Sequence, residues 1–203
     1  FIQQNPEITG DRVQLLHVEP NSREDWILFD YRSFRQPDDQ RRKQLQGIMR
    51  ADGSGIRWIP KRPMHVVWYD DTSMLGVEVN DPEKKMYRYD LFGKELELLA
   101  GPACHLGVSP DRRWYAGEQG YYWAEEDGFT RVYLYERGET QAKALLGAWE
   151  NNRITWGWVA HVNPSFSADN QRLYFIRAVD GEEKFEAAWI DLAQTPLWKE
   201  HDD

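Results

Sequence analysis

The chain has 203 residues, 41% of them apolar and 29% charged, with a formal net charge of −9. That charge excludes general nucleic-acid binding, which needs a basic surface. No apolar run approaches the roughly 20 residues that span a bilayer, so neither a nucleic acid nor a membrane is an expected partner.

A lone Cys104 rules out an internal disulfide framework. Ten Trp and ten Tyr suit aromatic-rich short strands better than helices. The first residue, Phe1, is not an initiator Met, so a cytoplasmic or a periplasmic location both stay open.

In chain order, residues 1–16 read as the outer strand of a preceding blade, with Ile8–Leu16 carrying its turn and strand. Strands follow at Trp26–Phe29 and Gln46–Arg50, the latter closed by the turn Ala51-Asp52-Gly53-Ser54-Gly55. A short helix within Gln36–Met49 is an alternative for the segment between them. Basic residues bunch from Arg32 to Arg62, which reads first as a solvated loop. The next strands are expected at Val66–Tyr69, Met74–Val79, Lys85–Asp90, Leu106–Val108, Arg113–Gly117 and Thr130–Tyr135. The last three are Pro164–Phe166, Arg172–Arg177 and Phe185–Asp191.

Four of the five histidines open similar stretches: His17-Val-Glu-Pro-Asn-Ser, His65-Val-Val-Trp-Tyr-Asp, His105-Leu-Gly-Val-Ser-Pro-Asp and His161-Val-Asn-Pro-Ser-Phe-Ser-Ala-Asp. They lie 48, 40 and 56 residues apart, and a period of roughly 40–50 belongs to propeller blades. The expected fold is therefore an all-β propeller of four-stranded antiparallel blades. Approximate blades are 17–60, 61–100, 101–150 and 151–203, forming one propeller domain or, the favoured reading, part of a larger, seven-bladed one. An incomplete ring leaves blade edges that a partner or a further segment must cover. A histidine repeated at one position of a radial unit is carried toward one axis, where imidazoles gather around a metal or substrate.

The segment His161-Val-Asn-Pro-Ser-Phe-Ser-Ala-Asp-Asn-Gln-Arg-Leu-Tyr-Phe resembles the repeat of TolB-type propellers. A closer resemblance is to the oligogalacturonate lyases, which are seven-bladed propellers with a His-x-His metal-binding pair. His105-Leu-Gly-Val-Ser-Pro-Asp is similar to another ligand-bearing blade start of that family. His65-Val-Val-Trp-Tyr-Asp-Asp is similar to the one with its catalytic histidine. This chain departs from the pair by carrying Asn163 where the second histidine stands.

The resemblance implies β-elimination on an acidic, uronate-containing oligosaccharide. His105, His161 and Asn163 would hold a divalent ion, with His17 as an addition. Imidazole and oxygen donors with open positions suit Mn²⁺. His65 would be the base or a group that orients the carboxylate, and Arg41 or Arg42 would neutralise the substrate. Trp156 and Trp158 could stack on sugar rings, or simply fill space between blades.

Two other readings compete. One is a non-catalytic TolB-like module that binds a protein or sugar, its histidines bonded inside their own blades. The other is an inactive sugar-binding relative, which Asn163 permits. Cys104 beside His105 reads as a poor catalytic dyad, because neighbours on a strand point to opposite faces. Asp25, Asp71, Asp111 and Asp169 read as turn residues.

Overall fold

A computed structural model describes residues 12–34, 43–60, 63–78, 85–99, 101, 103–119, 129–139, 141–150, 162–179 and 184–195. Among the described residues all regular elements are strands except one 3-10 turn, Leu192–Gln194. The strands form four antiparallel sheets in strict chain order, the meander expected of propeller blades.

The first blade holds β1 (Arg12–Pro20), β2 (Trp26–Phe34), β3 (Lys43–Arg50) and β4 (Arg57–Trp58). The second holds β5 (Pro63–Asp70), β6 (Ser73–Glu78), β7 (Met86–Asp90) and β8 (Glu95–Leu99). In the third are β9 (Cys104–Val108), β10 (Trp114–Gln119), β11 (Phe129–Glu136) and β12 (Ala144–Glu150). The fourth has three strands among the described residues: β13 (Ser165–Phe166), β14 (Arg172–Ala178) and β15 (Phe185–Asp191).

Three sequence expectations change here. Arg12–Leu16 does not end an outer strand of a preceding blade; it runs on through His17 as β1, paired with β2. Residues 43–49 of the possible helix are strand, because Leu45, Gly47 and Met49 alternate against β2. The basic bunch is not one loop either. Arg32, Arg50 and Arg57 sit on strands, and the guanidiniums of Arg50 and Arg57 lie 5.0 and 5.5 Å from the Trp26 ring.

The core is a series of blade-to-blade contacts. Trp26, Leu28, Ile48 and Ile59 of the first blade pack on Val66 and Met74 of the second. Leu75 and Val77 then meet Leu106 and Tyr115, while Ala116 and Val132 meet Leu173 and Phe175. Alternation along each second strand produces this, one residue facing back and the next facing forward. Full burial of a side chain such as Leu75 contributes about 2 kcal/mol.

The forward-facing residues Leu28, Leu75 and Ala116 are 2%, 0% and 0% exposed. Tyr174, the matching residue of the fourth blade, is 42% exposed. Among the described residues, then, three blades have their forward face covered and the fourth does not.

Each blade's first turn is closed by its own side chains. Ser109 donates to Asp111 at 2.5 Å and accepts the N–H of Trp114 at 2.9 Å. Ser167, Asp169 and Arg172 repeat this geometry at 2.5 and 2.9 Å. In the first blade Asn21 takes the place of the serine, donating to Asp25 at 2.6 Å and accepting from the Trp26 N–H at 3.1 Å. In the second, Asp70 accepts the N–H of Thr72 at 2.8 Å. Asp71 instead binds the turn of the first blade, through Ser22 and through Arg23 at 2.9 Å.

Candidate functional site

On the innermost strands, His17, His65 and His105 all have positive φ: 49°, 52° and 45°. Each lies where the register slips. Leu16 faces Asp30 but Glu19 faces Leu28; Met64 faces Val77 but Val67 faces Leu75; Cys104 faces Glu118 but Gly107 faces Ala116. These are β-bulges, and a bulge re-aims the side chain it carries. A left-handed non-glycine residue costs on the order of 1–3 kcal/mol, and His and Asn tolerate it better than most.

The same slot in the fourth blade holds Asn163, with φ 45°. Its turn serine, Ser167, stands four residues on, as Ser109 stands four after His105. The sequence reading opened this unit at His161; the backbone opens it two residues later. Asn163 is exposed. His161, Trp156, Trp158, Arg41 and Arg42 lie outside the described residues.

The three imidazoles come together in a row. Ring centroids of His17 and His65 are 6.3 Å apart, and those of His65 and His105 are 4.0 Å apart. Exposure falls along the row. The His17 side chain is 54% exposed, His65 is half-buried and His105 is buried.

Two buried carboxylates back the row from the second strands. Glu118, fully buried, places Oε1 on His105 Nδ1 and accepts the Val162 N–H at 2.9 Å with Oε2. Asp30 stands 3.5 Å from His17 Nδ1 and 3.9 Å from the Arg32 guanidinium. Neither acid was singled out from sequence. A signal for them exists: each lies 13 residues after its histidine. Spacing alone misleads for His65 and Glu78, however. The second blade's turn is one residue shorter, so Val77 faces Met64, and Glu78 pairs with Pro63 instead.

Cys104 corrects a second expectation. Ligand atoms of His65, Cys104 and His105 lie within 4.8 Å of one another, because the bulge ends the alternation that would send the thiol to the opposite face. Burial pushes the Cys104 thiol well above its usual range, and the carboxylate of Glu118 adds to the effect.

Further along the innermost strands lies a cavity of about 280 Å³. Glu19, Trp68, Val108 and Ser165 line it, one from each blade. Gly107 admits the close approach of the fourth blade there, since a Cβ would stand 2.1 Å from the Pro164 carbonyl oxygen.

No protein-family model and no curated protein matches this chain. Solved propellers do. Oligogalacturonate lyase from Vibrio parahaemolyticus is 18% identical, with TM-score 0.50, covering 82% of this chain and 45% of that one. The propeller domain of the Trilobed protease from Pyrococcus furiosus is 10% identical, with TM-score 0.49, covering 91% and 59%. A tricorn protease is 13% identical, with TM-score 0.48, covering 87% and 17%. Each is matched over less than two thirds of its own length. Identities this low show the fold alone. The chain is a β-propeller.

Proposed function

We propose that the imidazole row binds a divalent metal and that the chain carries out β-elimination on acidic, uronate-containing oligosaccharides, as an oligogalacturonate lyase does. The meeting of His17, His65 and His105 from three separate blades carries this reading.

The donor set fits a metal. Glu118 occupies Nδ1 of His105 and so leaves Nε2 as the ligating atom, the usual carboxylate–histidine support of a metal site. A bound divalent ion, Mn²⁺ by the family resemblance, would draw charge from the substrate carboxylate and acidify the neighbouring proton.

Burial argues for a change of roles from the sequence expectation. His65 and His105, the inner pair, suit the metal. His17, exposed and with Asp30 behind its Nδ1, is the better-placed base to take the proton. Arg32, beside Asp30, supplies a guanidinium for the uronate carboxylate in place of Arg41 or Arg42.

Absorbance of the unsaturated product from digalacturonate, read with protein loaded in turn with Mn²⁺ and with Zn²⁺, tests the proposal. Product that disappears in His17→Ala is the expected result. A metal-loaded protein that forms no product leaves the second reading, a non-catalytic TolB-like module binding a protein or sugar.

A further inference from the structure

We infer that Cys104 completes a three-ligand, zinc-type centre with His65 and His105. The inference rests on the metal reading above and adds to it a ligand and an ion class.

The three ligand atoms stand within 4.8 Å of one another. Ligands on one tetrahedral zinc, at bond lengths of about 2.0–2.3 Å, stand roughly 3.3–3.8 Å apart. Closing the gap takes about 1 Å of side-chain movement. Two of the three groups are buried, Cys104 fully and His105 at 5% exposure, so the donors are held by packing.

Local backbone explains why the thiol is there. On a regular strand Cys104 and His105 would point apart. The positive φ of His105 places both on one side, toward His65 of the neighbouring blade. Glu118 binds His105 directly, so a buried carboxylate steadies the position of that donor.

One sulfur and two imidazole nitrogens form a softer set than imidazole with oxygen. Such a set selects Zn²⁺, or Co²⁺ as its spectroscopic substitute, over Mn²⁺. Three protein ligands with a fourth position open is the arrangement of a catalytic zinc. Binding displaces the thiol proton to solvent, so the coordinated sulfur is a thiolate.

Cobalt titration of the whole chain tests the inference. The expected result is one Co²⁺ per chain with a near-ultraviolet thiolate-to-cobalt band. Zn²⁺ displaces it and Mn²⁺ does not. In Cys104→Ser the band is lost and Co²⁺ affinity falls at least tenfold. The wild-type band stands as a test by itself if that variant does not fold.

Stoichiometric Co²⁺ without the band, or binding unchanged in Cys104→Ser, overturns the inference and leaves a histidine-only metal site intact. A thiolate band in a protein that forms no unsaturated product upholds the centre and removes the lyase reading. Absence of any Co²⁺ binding removes both.

Discussion

Glu118 joins two blades through His105: one carboxylate oxygen meets the imidazole of its own blade, and the other accepts the backbone N–H of Val162 from the next. Both partners are buried, so neither can turn to water instead.

Glu118→Ala leaves two buried polar groups unsatisfied and is expected to destabilise the fold by about 3–5 kcal/mol. Glu118→Gln keeps an acceptor for the Val162 N–H but presents an amide N–H to His105 Nδ1. The imidazole then carries its proton on Nε2, where a metal would bind. Thermal unfolding should show the glutamine variant folded, and ¹⁵N chemical shifts should show the changed tautomer. Metal affinity should fall 10–100-fold.

Strain at the bulges makes a prediction with an inverted size order. At His17, whose side chain is largely exposed, Ala must adopt the same left-handed φ without the local tolerance of His. His17→Ala should cost about 1 kcal/mol, while His17→Gly and His17→Asn stay near wild type in denaturant unfolding. A ranking with Ala as the most stable would contradict the bulge as the reason for the residue choice.

Gly107 is a contact rather than a conformational requirement. Gly107→Ala drives a methyl into the Pro164 carbonyl, and backbone cannot rotate out of the way as a side chain does. The expected cost is about 1–3 kcal/mol. Hydrogen exchange should locate the loosening at Ser165–Phe166 and Arg172–Ala178, the strands that lean on this contact.

Glu136 supplies a pH dependence. Burial alone would raise its carboxyl, but the hydrogen bonds and charges of Arg113 at 2.9 Å and Lys143 at 3.3 Å outweigh that and hold it below the usual range. A carboxyl lowered on folding contributes stability above its unfolded value near 4.5, and this is lost as pH falls through the folded value. Wild type should therefore exceed Glu136→Gln in stability at pH 7. The two unfolding curves should converge only once the pH has fallen through the lowered folded-state value. A gap that persisted in acid would mean the glutamine acts through packing.

Much of the fold was readable because its signals are local. Ser109-Pro-Asp111 and Ser167-Ala-Asp169 close their own turns within three residues, and runs such as Thr130–Tyr135 alternate wherever they are placed. The blade order followed from those signals repeated. Asp30, Arg32 and Glu118 were missed because they sit on second strands, across a hydrogen-bonded pair from the motif that drew attention.

Sequence by itself determined an all-β chain of repeated antiparallel units with a histidine near the head of each, since alternation and turn chemistry need only neighbouring residues. Tertiary structure decided the rest. Whether His161 or Asn163 fills the fourth slot, whether Val77 or Glu78 faces Met64, and whether Cys104 joins His105 all depend on a bulge or on one residue of turn length. A single-residue slip in register sends a side chain to the other face of its sheet, and only the pairing between strands records where such slips occur.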